Sequence, residues 1–256
     1  MELDLGHIKR ISPPIPADNI PAHEEYVRLH RRRFWISLDM LQPILSSGCR
    51  VLSVGMEPGY FEAYLAIDSR CQMVGTELPK HQPVGYRYEI LFEDSRARKS
   101  VKIPVSISEA GRDPLPFPDC NFDLLLFLEV IEHFFCRPQL AFSEMHRVLK
   151  PGGFLLLSTP NAQHWHRIGY LLAGRRYPDA EFGDDPAHRH HQVFSMRELE
   201  ESLRAAGFSI AESRYRDCYG LAGGGFSAYS IVARALSLLP QYRKENIFML
   251  AKRVRG

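Results

Sequence analysis

The sequence predicts an α/β fold in which helices cover both faces of a largely parallel sheet. Short apolar runs bounded by turn residues, typical of strands buried on both faces, alternate with stretches in which apolar residues recur at helical spacing. Strands and helices that alternate in this way form βαβ units, whose strands run parallel. The chain of 256 residues, 45% of them hydrophobic, is long enough to build one such domain.

The amino-terminal part is predicted to be an extended arm followed by a helix. Prolines and aspartates in residues 1–20 favour the arm, and apolar residues recur at helical spacing over residues 21–45. The Ser-Ser-Gly sequence at 46–48 ends the helix. We therefore divide the chain into an amino-terminal arm and helix at 1–47 and a main domain at 48–256.

The main domain is predicted to contain strands and helices in alternation. The predicted strands are residues 50–55, 71–78, 101–107, 122–130, 154–158, 208–215 and 247–253. The predicted helices are residues 60–67, 138–149 and 196–206. Because parallel sheets bind ligands at the carboxyl ends of their strands, the loops that follow these strands are the candidate site.

Composition and charge exclude several classes of protein. Lys and Arg total 32 against 30 Asp and Glu, so neither nucleic acid nor an anionic membrane is expected as a partner. The five cysteines are scattered without a Cys-x-x-Cys pair, which favours reduced thiols and a cytoplasmic location. No signal peptide is recognisable, and no apolar run approaches the ~20 residues of a membrane helix. We therefore predict no integral membrane segment and leave the oligomeric state open.

The loop after the first strand of the main domain has the features of a nucleoside-binding turn. Gly55 and Gly59 permit close approach of a ligand to the backbone, and the next helix presents free N–H groups. Glu77 ends the next strand 22 positions after Gly55, where an acid accepts hydrogen bonds from ribose hydroxyls. A plain tight turn and an exposed strand-end charge are the alternatives.

Two longer motifs follow these features in order. Residues 113–133 read DPLPFPDCNFDLLLFLEVIEH, and residues 147–161 read RVLKPGGFLLLSTPN. The sequence thereby resembles the class I S-adenosylmethionine (SAM) dependent methyltransferases, specifically the methyltransferase-11 type of the small-molecule branch. The resemblance implies a Rossmann-like, seven-stranded, mostly parallel sheet with helices on both faces and the last strand antiparallel. It also implies SAM as the cofactor.

The resemblance assigns roles to individual residues. Gly55 and Gly59 match the loop over the methionine part of SAM, Glu77 matches the ribose acid, and Glu129 ends the strand under the sulfonium. The segment from Asp113 lies against adenine, although the acid usual there falls a few residues earlier in the family. The predicted cofactor-binding residues are Ser53, Gly55, Glu57, Gly59, Glu77, Leu78, Asp113, Leu115 and Glu129.

Two positions depart from the family pattern. Ser53 stands where the family has an acid, and Glu57 stands where it has a second loop glycine. The Glu57 side chain either obstructs the methionine end of SAM or pairs with its ammonium group. These departures leave open a degenerate, methyltransferase-like binding or scaffold protein. A nicotinamide-dependent dehydrogenase shares the glycine loop and the ribose acid, but the two longer motifs oppose it.

The acceptor site is predicted in an insertion at about 161–195, which is rich in histidine and aromatic residues. His190 precedes a Phe-Ser pair in a pattern that recurs in the family, and His133 ends the Glu-Val-Ile-Glu-His motif. These two histidines are the candidate catalytic residues, and loop anchoring or packing is the alternative for each. No metal is predicted, because the histidines do not follow a regular ligand spacing. Arginines 31–33 are either exposed or able to reach a carboxylate of SAM or of the acceptor.

The function predicted from sequence is SAM-dependent methylation of a small-molecule, glycan or lipid-precursor acceptor. Methyl transfer is a direct displacement that depends mainly on alignment and exclusion of water, with a base needed only for acidic O–H or N–H acceptors. The strand that ends at Glu129 lacks the Asn/Asp-Pro-Pro-Tyr sequence of enzymes that methylate amino groups in nucleic acids. The sequence therefore predicts an enzyme with no nucleic-acid substrate.

Overall fold

A computed structural model describes residues 3–12, 23–79, 82–135, 137–172, 174, 190–218, 238–239 and 244–254. The strands are β1 (Ile8–Ser12), β2 (Arg50–Val54), β3 (Gln72–Glu77), β4 (Arg87–Asp94), β5 (Lys99–Ile107), β6 (Phe122–Leu128), β7 (Leu149–Pro160), β8 (Phe208–Arg216) and β9 (Asn246–Arg253). The helices are α1 (His23–Leu41), α2 (Tyr60–Ile67), α3 (Pro138–Val148), α4 (Trp165–Leu172) and α5 (Met196–Ala205), with a 3-10 turn at Ile131–His133.

The strands form one mixed sheet in the order β1-β4-β5-β3-β2-β6-β7-β9-β8. The central pairs β3–β5, β2–β3, β2–β6 and β6–β7 are parallel. Strand β9 lies antiparallel between β7 and β8, as the sequence predicted for the last strand. The predicted α/β class and the seven predicted strands, which correspond to β2, β3, β5, β6, β7, β8 and β9, are confirmed.

Two strands at one edge were not predicted from the sequence. Strand β4 forms an antiparallel hairpin with β5, and β1 pairs antiparallel with β4, so the arm expected at residues 1–20 contributes Ile8–Ser12 to the sheet. Both strands are short or half-exposed, and β4 alternates charged outward residues with buried ones. Such alternation is a weaker sequence signal than the continuous apolar runs of the central strands. The sheet of the described residues therefore has nine strands instead of seven.

The helices cover both faces of the sheet, each over its own apolar cluster. Helices α1 and α2 pack on one face, where Phe34 stacks on Phe61 with ring centroids 5.5 Å apart. Helices α3 and α5 pack on the other face, where Phe142 and Leu199 are fully buried. Helix α1 thus belongs to the same core as β2, although the boundary at residue 47 remains a prediction. Among the described residues, no helix is long and apolar enough to cross a membrane.

The order of the sheet brings the ends of three strands together. Strands β2 and β3 run parallel in register, and β6 lies on the other side of β2. Their carboxyl ends are Val54, Glu77 and Leu128, which places the loops after them on one edge. This edge is where open α/β sheets bind their ligands.

Candidate functional site

A cavity of about 90 Å³ lies at the carboxyl ends of β2 and β6, between α1 and α2. It collects five of the predicted cofactor-binding residues, which come from separate parts of the chain. Its lining consists of Tyr26, Arg33, Phe34, Ser53, Gly55, Met56, Glu57, Pro58, Gly59, Tyr60, Phe61, Glu62, Leu128 and Glu129.

The two predicted loop glycines occupy positions that exclude a side chain. Gly55 has φ +72°, and a Cβ atom there would lie 2.7 Å from a methyl carbon of Val130. Gly59 has φ +87°, and its Cβ would lie 2.8 Å from the ring of Phe92. Left-handed backbone and close packing together require glycine at both positions. Both glycines line the cavity, and their role in cofactor binding remains a prediction.

An acid from helix α2 occupies the region where the family acid was expected. The Ser53 hydroxyl donates a 2.7 Å hydrogen bond to Oε1 of Glu62, which is 7% exposed. Burial raises the pKa of Glu62 to about 7, although the bond from Ser53 acts in the opposite direction. The sequence analysis missed Glu62, although the composition of its helix could have indicated it. It is the one charged residue of an otherwise apolar or aromatic helix, YFEAYLAI.

We expect the buried Glu62 to make the protein less stable as the pH rises from about 4.5 to about 7. The unfolded chain loses this proton near the usual value and the folded chain keeps it, so the unfolded state binds fewer protons across that window. The free energy of unfolding should fall by up to about 3 kcal/mol from this group. Between pH 5 and pH 8, urea unfolding should show a smaller decrease in the free energy of unfolding for Glu62→Gln than for the wild-type chain. The exposed Glu93→Gln is the matched control, and equal decreases in all three proteins would contradict the assignment.

The arginine run of α1 contributes one side chain to the cavity. Arg33 is 7% exposed and its guanidinium donates a 3.1 Å hydrogen bond to the hydroxyl of Tyr26, whereas Arg31 and Arg32 are exposed. The positive charge of Arg33 partly offsets the rise in the pKa of Glu62 and of Glu132. The sequence analysis left two interpretations for the arginines, solvent exposure or contact with a carboxylate. Arg33 lines the cavity and can reach an anion there, whereas its two neighbours are exposed.

Glu77 lies at the end of β3, where the ribose acid was predicted. Its Oε2 accepts a hydrogen bond from the hydroxyl of Tyr88 on β4. Burial, followed by the Glu77 charge, raises the pKa of Tyr88 far above its usual range, so this phenol remains a donor. The unpredicted strand β4 thus provides the group that orients the predicted acid. Leu78 follows directly and is half-buried.

The predicted adenine segment lies after β5. Asp113 is half-buried, and its backbone N–H bonds to the carbonyl of Glu109 at 3.0 Å. Leu115 is 3% exposed, with its N–H bonded to Glu144 and its carbonyl accepting from Arg147. The Leu115 side chain therefore packs in the core under α3, away from the cavity lining, and its role in cofactor binding remains a prediction.

Glu129 has a left-handed backbone at the point where β6 ends. Its φ is +58°, a conformation that non-glycine residues adopt rarely and that concentrates at functional sites. Its carboxylate accepts hydrogen bonds from Ser158 at 2.7 Å and from Asn246 at 3.1 Å. These two partners, on β7 and β9, hold the carboxylate at the cavity wall.

The two predicted catalytic histidines lie next to each other although 57 positions separate them. The ring centroids of His133 and His190 are 5.1 Å apart. Residue 190 is held there because the N–H groups of His191 and Gln192 bond to the carbonyl of Glu132, at 2.7 and 3.1 Å. The His pair therefore depends on docking of the predicted acceptor insertion onto the 3-10 turn.

Glu132 lies under this histidine pair. It is 1% exposed and its Oε2 accepts a 3.0 Å hydrogen bond from Thr159. Burial, followed by the charge of Glu129, raises the pKa of Glu132 well above its usual value. Glu132 is therefore close enough to the cavity residue Glu129 to be affected by its charge, and the His pair lies beside Glu132.

The rest of the predicted insertion is described in part. Helix α4 follows His164, which is 6% exposed, and burial lowers the pKa of that imidazole to about 4. His164 is therefore a neutral packing group. Residues 175–189, which include His188, lie outside the described part of the chain.

Comparison with known proteins assigns the chain to a family. A family model for a methyltransferase domain matches residues 24–213, which include both long motifs and the glycine loop. The chain belongs to the class I SAM-dependent methyltransferase family. The cofactor of this family is SAM.

Individual relatives of this methyltransferase agree with the assignment over limited stretches. A probable SAM-dependent methyltransferase of Mycolicibacterium smegmatis is 36% identical over 109 residues, 43% of this chain and 37% of its own length. A malonyl-[acyl-carrier protein] O-methyltransferase of Herminiimonas arsenicoxydans is 35% identical over 97 residues, 38% of this chain and 33% of its own length. The chain thus matches about a third of the length of these curated relatives.

Solved methyltransferase structures have the same fold. A SAM-dependent methyltransferase from Archaeoglobus fulgidus aligns with a TM-score of 0.58 and 16% identity, over 88% of this chain and 96% of that one. At this level of identity the alignment supports the architecture alone. It agrees with the central sheet described above.

Proposed function

We propose that this methyltransferase transfers the methyl group of SAM to a small-molecule, glycan or lipid-precursor acceptor. The observation that carries the proposal is the cavity at the ends of β2 and β6, where Arg33, Glu62 and Glu129 converge. The cavity offers side chains of both charges to the amino-acid end of SAM. His133 belongs to the 3-10 turn that follows the cavity residue Glu129, and His190 packs against it. A cytoplasmic location remains part of the proposal.

The proposed SAM orientation follows from charge. The methionine carboxylate pairs with the Arg33 guanidinium, and its ammonium lies near Glu57 and Glu62 on the opposite wall. Glu77 accepts hydrogen bonds from the ribose hydroxyls beyond the loop. Glu62 thereby supplies the acid that is missing at Ser53, which argues against a degenerate cofactor site.

The proposed reaction is a displacement at the methyl carbon. The acceptor atom forms a bond to the methyl group while the bond to sulfur breaks, and the electron pair returns to sulfur to leave S-adenosylhomocysteine. An O–H or N–H acceptor also loses its proton, for which His133 and His190 are the candidate bases. Such a transfer depends mainly on alignment of the two reactants and on exclusion of water.

One curated relative supports an oxygen acceptor as the form of the proposal. The Herminiimonas arsenicoxydans relative is named as an O-methyltransferase acting on malonyl-[acyl-carrier protein]. The match covers 38% of this chain and 33% of that protein. Oxygen is consistent with His133 and His190 as candidate bases, because a hydroxyl has a proton to lose.

The arginine in the cavity gives a selective test of the SAM orientation. We expect Arg33→Met to weaken SAM binding by about 1.5–3 kcal/mol, because a charged hydrogen bond to the methionine carboxylate is lost. Binding of 5′-methylthioadenosine, which has no amino-acid end, should hardly change. Calorimetric titration of both ligands measures the contrast, with Arg32→Met as the exposed control. Equal losses for the two ligands would refute the proposed orientation.

The whole proposal is tested by calorimetric titration of the purified chain with SAM and S-adenosylhomocysteine. Micromolar binding of both, followed by methyl transfer to a member of an acceptor panel, is the expected result. No binding at millimolar ligand would support the degenerate binding or scaffold protein instead.

A further inference from the structure

Three potential metal ligands converge at the 3-10 turn that follows the cavity residue Glu129. One ligand atom from each of Glu132, His133 and His190 lies within 4.8 Å of the other two. Metal–nitrogen and metal–oxygen bonds are about 2.0–2.2 Å long, so small side-chain rotations bring three atoms at this spacing onto one ion. From this juxtaposition we propose that Glu132, His133 and His190 bind a divalent transition-metal ion that holds the oxygen of the methyl acceptor.

The composition of the cluster suits such an ion. Two imidazoles and one carboxylate form a ligand set used for zinc and for non-haem iron, with coordination positions left open for substrate. Sequence spacing predicted no metal here, because His133 and His190 are far apart in the chain. Only the docking of residue 190 onto the 3-10 turn brings them together.

The surroundings of Glu132 support this use of its carboxylate. It is almost fully buried, and carboxylates in such positions are paired or coordinate metals. The hydroxyl of Thr159 binds Oε2 at 3.0 Å and orients the group from behind, as outer-shell partners of metal ligands do. The nearby Glu129 adds a second negative charge, which favours a cation in this layer.

The local framework is rigid enough to position three ligands. Glu132 and His133 are adjacent in the 3-10 turn, and the carbonyl of Glu132 holds the chain at residues 191 and 192. The side-chain amide of Gln192 adds a 2.8 Å bond to the carbonyl of Phe134. The turn and the incoming segment therefore present their ligands as one unit.

This inference rests on the proposed function for its catalytic meaning. An ion at the cluster would take over the role assigned above to a histidine base: it would bind the acceptor hydroxyl and lower the pKa of that group. The hydroxyl proton leaves to solvent, the oxygen forms its bond to the methyl carbon, and the sulfur keeps the electron pair of the broken bond. The acceptor class that fits is an oxygen nucleophile, in agreement with the proposed reaction.

The test uses metal alone, without cofactor or acceptor. The full chain, treated with chelator, is titrated with Co²⁺ while visible absorption is recorded, and Zn²⁺ is then added as competitor. We expect one equivalent of Co²⁺ to produce a ligand-field band that Zn²⁺ abolishes. His133→Gln, His190→Gln and Glu132→Gln should each lose the stoichiometric band, and Thr159→Val should bind about tenfold more weakly.

The matched control is His191→Gln, which changes a histidine of the same segment whose ring contacts Phe135 instead of the cluster. It should keep the band. No band in the wild-type chain, a band that persists in both His133→Gln and His190→Gln, or its loss in His191→Gln would each overturn the metal assignment. Urea unfolding of every variant checks that the fold is intact.

SAM titration of the same metal-free protein separates the two proposals. SAM binding without Co²⁺ binding refutes the metal site and leaves the proposed function standing. Co²⁺ binding without SAM binding refutes the proposed function and supports the metal site.

Discussion

Glu77→Ala is expected to weaken SAM binding by about 2 kcal/mol or more, which is about 30-fold in the dissociation constant. The substitution removes a carboxylate that accepts hydrogen bonds from two ribose hydroxyls. It also leaves the Tyr88 hydroxyl without the acceptor that it bonds now. Calorimetric titration with SAM measures the effect. The binding of 5′-methylthioadenosine should be weakened by the same amount, because this ligand contains the same ribose.

Two further variants isolate the cause of this effect. Tyr88→Phe keeps the carboxylate but removes the group that orients it, so its effect should be smaller than that of Glu77→Ala. Glu93→Ala makes the same change of charge near the opposite end of β4, where it pairs with Ser100, and should leave SAM binding unchanged. A near-zero effect of Glu77→Ala would show that the ribose lies elsewhere.

Gly55→Ala is expected to destabilise the protein by about 3 kcal/mol. A left-handed residue with a Cβ costs about 1–2 kcal/mol in backbone conformation, and overpacking of a core adds about 1–3 kcal/mol. Both terms apply here, because Gly55 has φ +72° and its added Cβ would lie 2.7 Å from Val130. Urea unfolding measures the change in the free energy of unfolding.

Gly48→Ala is the matched control for this substitution. Gly48 also has a left-handed backbone, with φ +80°, but a Cβ there would meet no atom within 4 Å. It should therefore show only the backbone cost, about 1 kcal/mol. Equal destabilisation by the two substitutions would contradict the packing argument at Val130.

The central strands and the cofactor loop were predictable because their signals are local. A buried parallel strand needs a continuous apolar run, and β2, β6 and β7 each contain one. The close approach at Gly55 and Gly59 requires glycine in the sequence itself. By contrast, β1 and β4 pair at an edge and carry charged residues, so their strand character comes from hydrogen bonding to neighbours.

The sequence was sufficient to propose the residues that hold the cofactor, but not the side chains that bond to those residues. The sequence indicated Glu77, but Tyr88 belongs to the strand that was missed. It indicated Ser53 as a departure from the family, but the acid that compensates comes from α2. Each missing partner reaches its place from another element, and contacts between elements leave no local pattern in the chain.

The sequence by itself determined the fold class, the seven strands other than β1 and β4, and the family, because burial period, turn residues and long motifs are properties of consecutive residues. Only the tertiary structure decided which side chains share the site. Successive residues of a helix point about 100° apart, so packing of α1 selects Arg33 from three consecutive arginines. The meeting of His133 with His190 likewise depends on backbone hydrogen bonds to Glu132, which form only when the distant segment folds back onto the turn.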